Sequence, residues 1–314
     1  MTKQRPHTLM TVHAHPDDET IGTGGLMAKS VQAGHRVVLV TCTRGELGEI
    51  VVKDMDTPEN HRRLGEMRAG ELEAAMGELG VTEWENLGYR DSGMMGTEGN
   101  RDPRCFWQAD LDDAARRLTW LVREVRPDVV TTYNDFGGYG HPDHIRVHLV
   151  SVLAFERAGD AAWYPEQLAP EHGGTGPLAA EGGLAPWTPL KLYEQAIPAS
   201  VRNAMRDRME AEGKRSFWSE PEGVTPEELE MFRAQLARML VPDESITTWI
   251  DIDDVVDRKW AAIWKHVTQM SPESPFLRFG LDAWREFWGR EAYVLRESRV
   301  PTQTPETDVF AGLD

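Results

Sequence analysis

The sequence contains few cysteines and no long apolar run. Its 314 residues include only Cys42 and Cys105, too few for a disulfide framework or for a cysteine-rich structural zinc site. No stretch approaches the roughly 20 uninterrupted apolar residues of a membrane-spanning helix, so we expect no membrane partner. Residues 1–7 are polar and lack the apolar core of a secretory signal, which predicts a cytoplasmic protein.

Basic side chains are also scarce. The chain has 34 lysines and arginines against 52 aspartates and glutamates, a formal net charge of −18. Such a surface repels phosphate backbones, which argues against a nucleic-acid partner, and the acid excess favours solubility. Hydrophobic residues at 40% and charged residues at 27% are ordinary for a globular protein. The composition leaves homo-oligomerisation open.

Strands and helices alternate along the first half of the chain. β-branched runs such as RVVLVTCT (36–43) predict buried strands, and periodic segments ending at glycine predict helices. This alternation predicts an α/β fold with a Rossmann-like, mostly parallel sheet flanked by helices. The predicted strands are 9–13, 36–43, 83–87 and 128–133, and the predicted helices are 20–33, 57–79 and 111–125.

The second half of the chain is less regular. Residues 165–189 are rich in Gly, Ala and Pro, which predicts a long loop. The tail after Pro301 is predicted to be irregular. Beyond the loop we predict strands at 191–197 and 246–252 and helices at 201–213, 226–239, 253–269 and 281–289.

Two polar clusters directly follow predicted strands. The first is HAHPDDE (13–19), and the second is YGHPDH (139–144). Parallel strands end at one edge of a sheet, so both turns are expected to open onto the same rim, where ligands bind. An isolated Asp-Asp pair is usually a helix cap and a single His-Pro is usually a turn, but two His-Pro-Asp turns after strands indicate a site.

The residue types in these clusters suit a hydrolytic metal centre. His15, Asp18 and His144 supply two imidazoles and a carboxylate, which leave a position open for water on zinc, although iron(II) suits the same set. Asp17 would then be free to act as general base on the metal-activated water.

Further polar groups complete the predicted chemistry. His141 could protonate the leaving nitrogen or stabilise the oxyanion, with Asp143 fixing the tautomer of its ring. Tyr139 could donate a hydrogen bond to the developing oxyanion. A non-catalytic metal- or glycan-binding protein is the main alternative, but it would need no base such as Asp17. A dinucleotide-binding protein is disfavoured because Gly22-Thr23-Gly24-Gly25 has the wrong glycine spacing.

The pairing of HPDDE (15–19) with HPDH (141–144) resembles the LmbE-like, or PIG-L, zinc deacetylase family. The resemblance implies that His15, Asp18 and His144 bind the metal and that Asp17 is the base. It also implies that His141 is the second catalytic group and that Tyr139 polarises the scissile carbonyl, with Asp143 beside His141. It further implies two substrate-binding residues, Arg68 as a sugar- or inositol-contacting arginine and Asp91 as a sugar-hydroxyl acceptor. The alternative for Arg68 is a helix-surface ion pair with a nearby glutamate.

The resemblance extends to the branch of the family that handles mycothiol. That branch contains N-acetylglucosaminyl-inositol deacetylase and mycothiol S-conjugate amidase, and RDSGM (90–94) and HVTQ (266–269) resemble it. A third alternative is a deacetylase of another N-acetylglucosamine conjugate. The chain has TIGT (20–23) where the amidase pattern carries a lysine. The likeness implies one domain over 1–314, with a core at about 7–160 and a C-terminal part at about 190–314 packed near the active site.

Overall fold

A sheet of eight strands runs through the described part of the chain. The structure is a computed structural model that describes residues 5–169, 184–214, 219–274 and 277–313. The apolar residues of β2 are buried, as a central parallel strand requires. The strands are β1 (Thr8–His13), β2 (Arg36–Thr41), β3 (Glu83–Asn86), β4 (Val129–Thr132), β5 (Lys191–Pro198), β6 (Leu240–Val241), β7 (Thr248–Asp251) and β8 (Arg290–Ser298).

The strand order is β3-β2-β1-β4-β5-β8-β7, with β6 beside β5. Neighbouring strands from β3 to β5 are parallel, whereas β8 runs antiparallel to both β5 and β7. The order reverses at β1, because the chain moves outward to β2 and β3 on one side and to β4 and β5 on the other. Open α/β sheets bind ligands at the carboxyl ends of the strands at such a reversal. The predicted Rossmann-like, mostly parallel sheet is confirmed.

Helices cover both faces of this sheet. Side chains of β1 alternate between them, since Leu9 joins one buried apolar cluster and Met10 and Val12 join the other. The helices are α1 (Asp18–Gly22), α2 (Gly24–Gln32), α3 (Pro58–Leu79), α4 (Leu111–Val125), α5 (Gly137–Gly140), α6 (Pro142–Arg157), α7 (Ala199–Ala211), α8 (Pro226–Met239), α9 (Val256–Ile263) and α10 (Gly280–Trp288). Helices α2 and α3 contribute to the Leu9 cluster, and α4 and α6 contribute to the other.

Helices with strong local end signals lie where they were predicted. The predicted helix 111–125 has the bounds of α4, and 226–239 has the bounds of α8. At the start of α3, the Thr57 hydroxyl accepts a hydrogen bond from the Asn60 backbone N–H at 3.2 Å. Gly80 ends that helix with φ of +75°, a conformation that glycine adopts without steric cost.

The prediction of one continuous helix over 20–33 is wrong. A break at Thr23 separates α1 from α2. A distant carboxylate caps the second helix at this break: Glu291 on β8 accepts hydrogen bonds from the backbone N–H groups of Gly25 (2.7 Å) and Leu26 (2.9 Å). These amides lie in the first turn of α2, where helical backbone donors have no partner within the helix. The negative charge also suits the positive end of the helix dipole.

Other predictions in the second half need correction. The predicted helix 253–269 shortens to α9, and the Thr268 backbone N–H donates to the Glu71 carboxylate at 2.8 Å instead of continuing the helix. The predicted strand 246–252 shortens to β7, and β8 and α6 were not predicted. Of the predicted loop 165–189, residues 170–183 lie outside the described residues. Among the described helices, none combines the length and apolar character needed to cross a membrane.

Glu291→Ala is expected to destabilise the fold more than Lys259→Met. Lys259 Nζ lies 2.6 Å from Glu291 Oε1, and both side chains are buried. Removing the carboxylate leaves a buried ammonium without its partner, a loss of about 3–5 kcal/mol. Lys259→Met leaves the carboxylate with three donors, from Gly25, Leu26 and the Tyr293 hydroxyl (2.7 Å). Urea unfolding of both variants measures the difference, and equal destabilisation would contradict this account.

Candidate metal and active site

The two polar clusters meet at the carboxyl edge of the sheet. The chain passes from the end of β1 into residues 15–19, and from the end of β4 through α5 into residues 141–144. Because β1 and β4 are adjacent and parallel, both turns leave the sheet on the same side. The structure therefore brings the two clusters together at the reversal of strand order.

Three polar atoms form a nearly regular triangle at this edge. His15 Nδ1, His144 Nε2 and Asp18 Oδ2 are separated by 3.3 Å along each side. Ligand atoms at about 2.1 Å from a tetrahedral ion lie about 3.4 Å from one another. The spacing of this triangle therefore fits a bound metal ion.

The charges within the triangle also suit a cation. Burial by itself raises the pKa of Asp18, but the neighbouring imidazoles of His144 and His15 outweigh it and hold that pKa well below its ordinary value. The Asp18 carboxylate is therefore ionised. Its Oδ2 also accepts a hydrogen bond from the His15 backbone N–H at 2.9 Å, which fixes its direction.

The wider cluster offers further ligand atoms. Within the described residues, two groups of buried side chains have ligand atoms that lie within 4.8 Å of one another. One group is His15, His141 and His144, and the other is His15, Asp91, His141 and Asp143. A cluster of histidines and aspartates that could hold a metal is therefore present.

Asp143 orients His15. Its Oδ2 lies 3.2 Å from His15 Nε2, on the side of the ring opposite the triangle. Ser92 fixes the Asp143 carboxylate through its backbone N–H (2.9 Å) and through a short hydrogen bond from its hydroxyl. Asp143 also contacts His141 through its backbone, whose N–H donates to His141 Nδ1 at 3.1 Å.

Tyr133 supports the other imidazole of the triangle. Its ring stacks on His144, with centroids 4.2 Å apart, and its hydroxyl accepts a hydrogen bond from the Ala14 backbone N–H at 3.1 Å. His13 lies at the same hydroxyl, 3.3 Å from its Nδ1, and its Nε2 lies 2.8 Å from Thr23 Oγ1. Burial lowers the pKa of His13 to about 4, so this ring is neutral. His13 is thus a support for the site.

Asp17 lies beside the triangle and does not belong to it. Its Oδ1 is 3.1 Å from Arg68 Nη2, and its backbone N–H donates to Glu19 Oε2 at 2.8 Å. Burial raises the pKa of Asp17 to about 6, an effect that the Arg68 guanidinium partly offsets. Its φ of +112° is unusual for a residue with a side chain. The Asp17 carboxylate thus pairs with Arg68 and is not one of the three atoms of the triangle.

Arg68 is buried on α3 and directed toward Asp17. Only 3% of its surface is exposed, and its Nη1 donates to the Gly45 carbonyl at 2.9 Å. Its Nη2 also donates to the Pro16 carbonyl in a short hydrogen bond. The alternative of a helix-surface ion pair with a glutamate is therefore wrong. A sugar or inositol contact for Arg68 stays a prediction.

Asp91 lies next to His15, with Oδ1 3.6 Å from His15 Nε2. Its carboxylate already accepts hydrogen bonds from the backbone N–H groups of Leu47 (3.0 Å) and Gly93 (2.8 Å). Burial works to raise the pKa of Asp91, but His15 and these two amides lower it below its ordinary value. An ionised carboxylate at this edge agrees with a sugar-hydroxyl acceptor, a role that stays a prediction.

His141 and Tyr139 line the same edge as the triangle. The His141 ring centroid is 4.6 Å from that of His15 and 5.1 Å from that of His144. Burial, reinforced by those two imidazoles, lowers the pKa of His141 to about 2, so the ring is neutral. Because Nδ1 accepts the Asp143 N–H, the proton of the neutral ring is on Nε2. Tyr139 has its ring centroid 4.8 Å from that of His144, and burial raises the pKa of its hydroxyl, which therefore stays protonated.

The glycines of α5 allow its close approach to α6. Gly137 has φ of +65°, and a Cβ atom there would lie 2.6 Å from His144 Cβ and from the Ile145 backbone nitrogen. No side chain fits at that distance. Gly137 thus lets Tyr139 pass over the helix that carries His144.

A buried pair of residues joins the C-terminal part of the chain to this edge. Glu19 Oε1 lies 2.8 Å from His266 Nε2, and neither side chain is exposed. The sequence alone placed Glu19 in the cluster 13–19 and gave no partner for His266. The run at 266–269 carried the only sequence signal. Tyr133 and Ser92 were likewise not recognised as supports of the site.

The topology and the cluster together define a class of protein. It is an α/β protein with a candidate catalytic metal centre at the carboxyl edge of its sheet, since three protein ligands leave a coordination position free. The PIG-L family profile, described as GlcNAc-PI de-N-acetylase, matches residues 10–155. The chain is 40% identical over 312 residues to 1D-myo-inositol 2-acetamido-2-deoxy-alpha-D-glucopyranoside deacetylase of Geodermatophilus obscurus, covering 97% of each protein. The chain therefore belongs to the PIG-L family.

Solved structures share this fold at low sequence identity. N,N'-diacetylchitobiose deacetylase from Pyrococcus horikoshii has a TM-score of 0.59 and 19% identity, covering 92% of this chain and 83% of that one. GalB, a 4-carboxy-2-hydroxymuconate hydratase from Pseudomonas putida KT2440, has a TM-score of 0.54 and 20% identity, covering 95% and 99%. Because a deacetylase and a hydratase share this fold, the fold alone does not determine the reaction.

Proposed function

We propose that this protein is a zinc-dependent amide hydrolase that removes an N-acyl group from a glucosamine-containing substrate. The observation that carries the proposal is the triangle of His15, His144 and Asp18. Asp17 lies beside this triangle and is not needed as a metal ligand. The names of the relatives support the deacetylase type, acting on N-acetylglucosaminyl-inositol, over the mycothiol S-conjugate amidase type. The absence of the amidase lysine at 20–23 agrees with this choice.

His15, Asp18 and His144 are the ligands in this proposal. The other carboxylates of the wider cluster already have partners: the carboxylate of Asp143 is bonded to Ser92 and His15, and that of Asp91 to two backbone amides. A zinc ion held by the triangle would act as a Lewis acid, polarising the acyl carbonyl and making a water molecule more acidic. Iron(II) accepts the same ligands, and metal analysis of the purified protein distinguishes the two ions.

Asp17 is the general base of the proposed reaction. A carboxylate with a pKa of about 6 is ionised at neutral pH and can still take a proton from water. The hydroxyl of Tyr139 stays protonated and can donate a hydrogen bond to the oxygen of the tetrahedral intermediate. The amine leaves with the proton that Asp17 takes from water, which returns Asp17 to its carboxylate form. The Nε2–H of the neutral His141 ring can donate a hydrogen bond to the oxyanion.

Arg68 and Asp91 are the proposed substrate-binding residues. Arg68 contacts Asp17, and the Asp91 carboxylate lies 3.6 Å from His15 Nε2. A guanidinium and an ionised carboxylate near the centre suit the hydroxyl groups of an amino-sugar. We also propose that residues 1–314 act as one domain, because Glu19 of the matched region pairs with His266 beyond it.

Chelator-sensitive release of free amine is the expected activity. Zinc-loaded protein is incubated with N-acetylglucosaminyl-inositol, with plain N-acetylglucosamine and with a mycothiol S-conjugate, and fluorescamine detects the amine. We expect release mainly from the first compound, and loss of that release after chelation and its return with zinc. Release mainly from the conjugate would identify an amidase. No release from any compound, with zinc bound, would contradict the proposal.

A further inference from the structure

The backbone of Asp17 is held in a conformation that aspartate rarely adopts. Its φ is +112°, and in the described ranges only two other non-glycine residues, Arg126 and Tyr164, have a positive φ. Such conformations cost of order 1–3 kcal/mol and persist only where surrounding contacts impose them. The contacts that impose this one are therefore part of how the site is built.

Contacts fix the backbone on both sides of Asp17. The Asp17 N–H donates to Glu19 Oε2 at 2.8 Å, and the Asp17 carbonyl accepts hydrogen bonds from the Thr20 hydroxyl (2.8 Å) and the Thr20 N–H (3.1 Å). The preceding carbonyl, of Pro16, accepts a hydrogen bond from Arg68. Thr20 and Pro16 lie within three residues of Asp17 in sequence, but the direction of the Glu19 carboxylate is set from elsewhere.

His266 sets that direction. The second oxygen of Glu19 lies 2.8 Å from His266 Nε2, 247 residues further along the chain, and both side chains are fully buried. Two residues later, Thr268 donates from its N–H and its hydroxyl to the Glu71 carboxylate, each at 2.8 Å. Glu71 and Arg68 are three residues apart on α3 and thus share a face. The segment 266–268 therefore contacts both structures that hold Asp17.

We propose that the buried Glu19–His266 pair is a positioning device for Asp17, which holds the backbone of the base in its left-handed conformation. This inference rests on the proposed function, in which Asp17 is the base. Neither Glu19 nor His266 contacts the triangle of His15, Asp18 and His144 through its side chain, so the pair acts on the base without binding the metal. The C-terminal part of the chain thus helps to position the base.

Removal of the imidazole is expected to lower turnover and leave metal binding intact. His266→Ala should lower kcat by about 10- to 100-fold, because a displacement of about 1 Å at a reacting group has an effect of that size. KM and zinc affinity, the latter measured by competition with a chromophoric chelator, should change by less than about twofold. His7→Ala is the matched control, since it removes an equally buried imidazole at the opposite edge of the sheet. An unchanged kcat, or an equal loss of zinc affinity, would overturn the proposal.

Two substitutions at Glu19 test the same device without removing His266. Glu19→Gln keeps an oxygen that can accept the Asp17 N–H, while its amide donates to a neutral His266. Glu19→Ala keeps neither contact. We therefore expect Glu19→Gln to retain several times more kcat than Glu19→Ala, with both variants binding zinc as the parent protein does. Equal kcat in the two would overturn the role of the hydrogen bond to Asp17.

A crystal structure of zinc-loaded His266→Ala gives a readout that is independent of activity. The expected result is a changed φ at Asp17 and a displaced carboxylate, with His15, Asp18 and His144 in place. An unchanged Asp17 would overturn the positioning role. If the parent protein lacks chelator-sensitive hydrolysis, the proposed function fails, whereas this structural comparison still decides whether the pair holds Asp17.

Discussion

Asp17→Asn is expected to lower kcat by about 1,000-fold while zinc content stays at the parent level. The substitution preserves size but removes the oxygen that accepts a proton from water. The nearest charged partner of Asp17 is Arg68, at 3.1 Å, and the triangle of His15, Asp18 and His144 is complete without it. Initial rates of amine release and metal analysis of the purified protein measure the two effects separately.

The control for this variant is Asp54→Asn, the same chemical change at an exposed carboxylate in the loop before α3. It should leave both turnover and zinc content unchanged. Near-normal turnover in Asp17→Asn would move the role of base to another residue. Loss of zinc in Asp17→Asn would instead make Asp17 a ligand and require a different triangle.

The helices whose bounds were predicted correctly are those whose ends are set by neighbouring residues in the sequence. Thr225 is the N-cap of helix α8. Its hydroxyl accepts a hydrogen bond from the Glu228 N–H, and the Glu228 carboxylate accepts one from the Thr225 N–H. The start of α3 at Thr57-Pro58 and its end at Gly80 are likewise set by residues within the helix ends. Signals of this kind can be read from a few consecutive residues, so these bounds were predictable.

The elements that were not predicted from the sequence depend on contacts between residues far apart in the chain. The break between α1 and α2 coincides with a cap from Glu291, which lies 266 residues from Gly25 in sequence. The strand β8 mixes charged and apolar residues, and it is a strand because it pairs with both β5 and β7. Neither β5 nor β7 adjoins β8 in sequence. No local pattern encodes pairings of this range.

The residues of the site fall into the same two groups, those predictable from a short stretch of sequence and those set by distant contacts. The candidate metal ligands were predictable, because each belongs to a polar cluster that follows a predicted strand, and parallel strands end at one edge. The partners of those residues were not, since they depend on which loops meet above the sheet. Asp143 was expected to fix the His141 tautomer, and its backbone N–H donates to that ring, but the contacts of its carboxylate with His15 and Ser92 were not foreseen. For Arg68 the alternative was an ion pair with a glutamate on the helix surface, whereas the side chain is buried and contacts Asp17.

His144→Ala is expected to abolish both zinc binding and hydrolysis, unlike the loss of the base. It removes one corner of the triangle and leaves His15 and Asp18 as two ligands, which are too few for a stable catalytic zinc site. The loss of zinc affinity should exceed the roughly 100-fold effect of removing a group that only supports a ligand. Chelator competition measures that affinity, and the amine assay with excess zinc measures residual hydrolysis.

His148→Ala provides a matched control on the same helix. His148 lies one turn after His144 on α6 and is similarly buried, but its Nδ1 bonds the Tyr133 carbonyl at 2.9 Å and not a member of the triangle. We expect this variant to bind zinc with nearly the parent affinity. If His144→Ala binds zinc as tightly as His148→Ala does, His144 is not a ligand. The metal would then be held by the wider cluster of His15, Asp91, His141 and Asp143, and Asp17 would lose its place as the base beside it.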